Sequence, residues 1–130
     1  MAYYLDTSAA VKLVANEPES SAMTAWAVQH DGELLSCDLL RTELIRAVRR
    51  TSPDRVQRAR QVLDSLFLLT VPTELFERAA LLEPSELRSL DALHLAAALD
   101  AGDELDGFVT YDDRLATAAV ATGMAVLRPG

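Results

Sequence analysis

Tyr3-Tyr4-Leu5-Asp6-Thr7-Ser8 decides the fold. Three aromatic and apolar residues of strand character stop at an acid, and two hydroxyl residues follow where a helix can begin. Phe108-Val109-Thr110-Tyr111-Asp112-Asp113 repeats the arrangement near the other end of the chain. Outward from these two stretches, short apolar runs alternate with segments of helical periodicity, the pattern of an α/β domain with a mostly parallel sheet. Five strands are predicted, over Ala2–Leu5, Glu33–Ser36, Phe67–Val71, Gly107–Thr110 and Met124–Leu127, the first and fourth most deeply buried. Helices are predicted over Ala9–Ala15 under a Ser8 cap, from about 19 to 30, from an Asp38 cap to about 50, after Ser52-Pro53-Asp54, over Thr73–Leu82, from a Ser89 cap to Asp100, and over Asp113–Thr122 with Gly123 at the stop. A right-handed, doubly wound five-stranded sheet arranges these crossovers most simply.

The chain has 130 residues, which predicts a single domain over 1–130 that buries close to two thirds of its unfolded surface. Half the residues are apolar and a quarter charged, with five glycines and five prolines, so collagen-like, low-complexity and disordered classes are excluded. The only cysteine is Cys37, which leaves no intrachain disulfide and no cysteine cluster for zinc or iron–sulfur, and fits a reducing, cytoplasmic setting. No stretch of ~18 uncharged apolar residues occurs, so neither export nor membrane spanning is expected.

A net charge of −8 argues at first against a nucleic-acid partner. The distribution says otherwise. Between Arg41 and Arg60 lie seven arginines against Glu43 and Asp54, a local +5, so the other 110 residues carry −13. Eleven of the twelve basic residues are arginine, whose planar fork suits phosphate and carboxylate, although a GC-rich genome favours the same bias. Arg46, Arg49 and Arg50 share a helical face, either solvated or set to grip phosphates or an acidic segment.

Asp6 is predicted at the carboxyl end of a central strand, where open α/β sheets place their ligand sites. A helix cap is the bland alternative, but Ser8 and Thr7 are at hand for capping and leave Asp6 free. Asp112 stands in the same relation to its strand, and spacing alone does not choose between it and Asp113 for the site and the cap. Glu43 reads by itself as a solvated surface acid, and Asp91 as an acid favourable to a helix N-terminus. Convergence raises both, because helices that start at carboxyl strand ends bring their first turns to one rim. Four carboxylates there repel, two charges ~4 Å apart by about 4 kcal/mol at an effective dielectric near 20. A bound cation resolves that conflict, and all-oxygen donors select Mg²⁺ or Mn²⁺ over zinc. The chemistry such a centre supports is phosphodiester hydrolysis. His94, one turn after Asp91, reads as a helix-packing histidine; Met23 and Trp26 read as core or partner-facing residues.

Tyr4-Leu5-Asp6-Thr7-Ser8, Thr42-Glu43-Leu44, Leu90-Asp91-Ala92-Leu93-His94-Leu95-Ala96 and Val109-Thr110-Tyr111-Asp112-Asp113-Arg114-Leu115 together resemble the PIN-domain ribonuclease toxins of the VapC family. The successive acids lie 37, 48 and 21 residues apart, and the resemblance covers essentially the whole chain. It implies a doubly wound PIN-like domain, Mg²⁺-dependent endoribonuclease activity, a homodimer and inhibition by a cognate VapB antitoxin. It implies an acidic quartet of Asp6, Glu43, Asp91 and Asp112, with Asp6 and Asp91 the direct metal ligands and Asp112, not Asp113, the fourth acid. Ser8 and Thr110 match hydroxyl residues that orient such a site, while Arg114 is placed to meet a substrate phosphate or pair with Asp113.

Two phosphoryl-transfer alternatives fail on residues. A haloacid-dehalogenase-type phosphatase needs a second acid two positions after the first, where Ser8 stands, and a receiver domain needs paired acids near the N-terminus. A catalytically silent PIN-like module that only binds a protein partner is the remaining alternative; the full quartet speaks against it.

Overall fold

The computed structural model describes residues 1–130. The chain order is β1 (Tyr3–Leu5), α1 (Thr7–Lys12), α2 (Ser20–Gln29), β2 (Leu34–Cys37), α3 (Leu39–Thr51), a 3₁₀ turn (Pro53–Arg55), α4 (Val56–Ser65), β3 (Phe67–Leu69), α5 (Thr73–Ala80), α6 (Ser89–Ala101), a second 3₁₀ turn (Gly102–Glu104), β4 (Gly107–Val109), α7 (Asp113–Ala121) and β5 (Val126–Leu127). The strands form one parallel sheet in the order β3-β2-β1-β4-β5. The α/β class and the five strands are those the sequence predicts. No helix is long and apolar enough to cross a membrane.

Both faces of the sheet are covered, so the central strands are apolar throughout rather than alternating. Tyr3 and Leu5 point to a core shared with Leu40, Leu44 and Val48 of α3 and Ala59, Val62 and Leu63 of α4. Tyr4 points the other way, among Leu75 of α5, Leu95 of α6, Phe108 and Leu115 of α7. Met23 is fully buried in the core, and Trp26, half-buried, packs edge-on against Tyr3 at the core's margin, centroids 5.1 Å apart. Gly107 is fixed by close approach: a Cβ there would collide with the Leu127 side chain on β5.

The order of pairing locates the ligand crevice. From β1 the chain winds outward through β2 to β3, then returns and winds the other way through β4 to β5, so the switch point of the doubly wound sheet lies between β1 and β4. Leu5 is in register with Val109, and Asp6 N–H continues the ladder to the Val109 carbonyl at 3.2 Å. Asp6 and Thr110 therefore stand side by side just past the carboxyl ends of the two central strands.

The starts of α1, α6 and α3 differ from expectation, and at α7 the structure decides between two residues that spacing leaves open. Asp6, not Ser8, caps α1: its backbone is extended (φ −81°, ψ −179°) and its side chain accepts from Ala9 N–H, while Ser8 already lies inside the helix. Asp112, not Asp113, caps α7 by accepting from Leu115 N–H. Arg88 occupies the N-cap position of α6 with no side-chain bond, and Ser89 is the first helical residue. Capping is decided by which residue keeps extended dihedrals before the first turn, which residue type alone does not reveal. Asp38 likewise makes no capping bond, since its backbone is already helical.

Candidate active site

At the switch point Asp6 is only 2% exposed, and three hydrogen bonds hold its carboxylate while leaving one lone pair of Oδ2 unused. Oδ1 accepts from Ser8 Oγ–H at 2.7 Å and from Ala9 N–H at 2.9 Å, and Oδ2 accepts from Thr110 Oγ1–H at 2.6 Å. The two hydroxyls are themselves pinned, because Tyr111 N–H donates to Ser8 Oγ at 2.8 Å and Asp112 N–H donates to Thr110 Oγ1 at 3.1 Å. Ser8 and Thr110 thus lock the first acid to the β4–α7 turn that carries the fourth. Asp6 serves as cap and rim residue at once, so the expectation that capping would leave it free does not hold.

Burial pushes the Asp6 carboxyl above its ordinary value, against hydrogen bonds from Thr110, Ala9 and Ser8 that favour the charged form. Asp91, in the first turn of α6, is also raised, by burial first and then by repulsion from Asp112, Asp6 and Glu43. The electrostatics place Asp91 within the field of the other three acids. In geometry the four do not close into a ready-made cage: no three His, Cys, Asp or Glu groups are drawn together tightly enough to enclose an ion. Each has its own partner instead: Asp6 its hydroxyls, Asp112 the α7 amide and Glu43 the His94 ring.

Asp91 and Asp112 open into a cleft of about 300 Å³ that Arg88, Asp113, Arg114, Glu86 and Leu87 complete. Arg114 is not paired with Asp113; Arg128 is, at 2.7 Å, donating also to the Thr110 carbonyl at 3.4 Å. Arg88 escapes a motif-based reading, although its position three residues before Asp91 sets both on one helical turn. The arginine ion pairs are Arg41 with Asp38, Arg78 with Asp100 and Arg128 with Asp113, so Arg46, Arg49, Arg50, Arg88 and Arg114 keep their charges free. The first three lie on α3, and Arg46 and Arg50 follow Glu43 at i+3 and i+7 along its face.

Glu43 is not a solvated surface acid: its side chain is 17% exposed and its Oε1 lies 2.6 Å from His94 Nε2. His94 is fully buried, with Nδ1 2.8 Å from Tyr4 Oη and 3.7 Å from Cys37 Sγ. Burial alone would lower its pKa, but the Cys37 thiol and the Glu43 carboxylate at its two nitrogens outweigh that and push it up to about 10. With both ring nitrogens engaged inside the protein, His94 has none to offer a metal. Any cation at this rim meets oxygen donors.

The PIN domain family model matches residues 3–121. Over 98% of its length and 96% of the relative's, the chain is 40% identical to "Ribonuclease VapC47" of Mycobacterium tuberculosis (strain CDC 1551 / Oshkosh). It is a PIN-domain protein of the VapC family. Its fold matches the crystal structure of Mycobacterium tuberculosis VapC20, described as a sarcin-ricin loop cleaving toxin, with a TM-score of 0.80 at 15% identity, covering 98% of this chain and 100% of that one. It also matches VapBC2 from Rickettsia felis, bound to a DNA fragment from its promoter, with a TM-score of 0.69 at 13% identity over all of both chains. The VapC assignment agrees with the motif resemblance and with the sheet order.

Proposed function

We propose that this VapC chain is an endoribonuclease toxin whose cutting centre is the quartet Asp6, Glu43, Asp91 and Asp112. The observation that carries the proposal is the geometry at the β1–β4 switch point, where the buried Asp6 is hydrogen-bonded to Thr110, two residues before Asp112, and Asp112 lines one cleft with Asp91. The donor set fits a hard divalent cation, because every available group is a carboxylate oxygen and the only nearby imidazole is fully engaged. Asp6 and Asp91 would hold Mg²⁺, with Mn²⁺ able to substitute. A cation held there would supply Lewis-acid stabilisation of the negative charge that develops on the phosphoryl group.

This chain's own residues do the rest. Ser8 and Thr110 keep Asp6 in one rotamer, so its oxygens need no reorganisation at the moment of reaction. Glu43 and Asp112 complete the anionic rim and hold water in line with the scissile bond. Arg88 and Arg114, in the same cleft as Asp91 and Asp112, pair with backbone phosphates flanking that bond, and Asp113, tied to Arg128, braces the turn. The Arg46, Arg49 and Arg50 face extends phosphate binding along α3, which gives an acidic protein a local site for a polyanion.

A ribonuclease name for a near-full-length relative and a VapBC assembly among its structural likenesses support the same reading. We place the chain in a toxin–antitoxin system, in the cytoplasm, with a VapB-type antitoxin and a second copy of itself as partners. The test is incubation of the purified, antitoxin-free protein with total cellular RNA in Mg²⁺, Mn²⁺ or EDTA, beside Asp6→Asn, with the cut ends sequenced. Discrete metal-dependent cuts absent from the variant are expected. RNA intact under every condition would favour the partner-binding module instead.

A further inference from the structure

His94 is the one polar residue in the buried run Ala92–Ala98 of α6, at a position where a leucine would pack without desolvating two nitrogens. Its ring crosses from one element to four others. Nδ1 meets Tyr4 of β1 and, more distantly, Cys37 of β2, while Nε2 meets Glu43 of α3 at 2.6 Å and Thr7 of α1 at 3.2 Å. Glu43 makes no other side-chain hydrogen bond. Because an ionised carboxylate only accepts, Nε2 must carry the proton in that bond whether the ring is neutral or charged. One Glu43 oxygen is therefore tethered to the core, and Oε2 is left without a protein partner.

From this geometry we infer that His94 is the positioning residue for Glu43, fixing the carboxylate at the rim against repulsion from Asp91. The inference rests on the ribonuclease reading above and adds to it a residue that touches neither metal nor RNA. A glutamate side chain has three rotatable bonds and loses much rotamer freedom when held, so a free Glu43 would spend most of its time turned out to solvent, away from Asp91. The Nε2–H bond removes that freedom before substrate arrives. Tyr4, locked between Phe108 and His94, fixes the ring from behind: its stacking on Phe108 has centroids 5.5 Å apart.

The test is a double-variant cycle read on cleavage of a single-stranded RNA pool of random sequence in saturating Mg²⁺, using wild type, His94→Leu, Glu43→Gln and the pair. His94→Leu is expected to lower kcat on the order of 10- to 100-fold, the loss typical of a supporting residue, with KM unchanged. In the Glu43→Gln background the same change should lower kcat no further, which a general packing defect would not obey. His94→Gln, which can place an amide N–H near Nε2, should recover part of the activity and guards against a misfolded leucine variant. A second readout needs no activity: imidazole ¹⁵N NMR of the metal-free protein should show a protonated, slowly exchanging Nε2 that exchanges faster in Glu43→Ala. Additive losses in the cycle, or an Nε2 signal indifferent to Glu43, would overturn the tether. Wild type that cuts no RNA with either metal would overturn the ribonuclease reading instead, and the NMR comparison would still decide whether His94 holds Glu43.

Discussion

Asp6 is asked to do two things that pull in opposite directions. As the cap of α1 and the acceptor for Ser8 and Thr110 it stabilises the fold, yet burial keeps its charged form costly. Both raised acids, Asp6 and Asp91, titrate above the 3.8 of an unperturbed aspartate, so the folded chain binds protons more tightly than the unfolded chain between those values. Stability without metal should therefore rise as pH falls from neutrality through the folded-state values and level off near 3.8. His94 adds in the same direction: its contribution is complete below 6.5 and lost as pH rises through about 10. Thermal unfolding in EDTA across this range checks both slopes. Asp6→Asn keeps a capping oxygen and removes the buried charge, so it should be at least as stable as wild type at neutral pH without metal, and should flatten the acid-side slope. A loss of about 1 kcal/mol or more would mean that Asp6 matters chiefly as a cap.

α3 joins the core to the substrate side. Leu40, Leu44 and Val48 bury one face, and Arg46, Arg49 and Arg50 crown the other. Leu44→Ala should cost about 2–5 kcal/mol in chemical denaturation, since the site is fully enclosed. Replacing Arg46 and Arg50 by glutamine should leave stability unchanged and weaken RNA binding. The slope of log affinity against log salt should fall by ~0.7 for each phosphate that the variant no longer neutralises. A salt slope equal to wild type would show that RNA takes another path. The periodicity of α3 and α4 is readable in sequence because their apolar stripes are one-sided, whereas the middle of α6 is buried all round and has no one-sided stripe to read. The outer strands are shorter than predicted: Thr70 and Val71 lie past the register of β3, and Met124 and Ala125 precede that of β5, although the Ala125 carbonyl still accepts from Phe108 N–H.

Across the whole molecule, the alternation of strands and helices, the parallel class and the positions of Asp6 and Asp112 just past strand ends were legible from local signals, whereas Glu43 and Asp91, inside helices, were singled out only by the family resemblance. The pairing order β3-β2-β1-β4-β5 is a property of the assembled sheet, and only it sets Asp6 beside Thr110, more than a hundred residues away in the chain. For the same reason the Glu43–His94 link, the Arg88–Arg114 cleft and the Arg128–Asp113 brace carry no local signature; each joins residues whose neighbourhood exists only after folding. The central claim is that Asp6 and Asp91 share a divalent cation at the switch point. It is tested most directly by crystallising the protein with Mn²⁺ and mapping the anomalous signal. A single strong peak at ~2.2 Å from a carboxylate oxygen of each of Asp6 and Asp91 is expected, lost in Asp6→Asn crystals. A peak elsewhere, or one that persists in the variant, would contradict it.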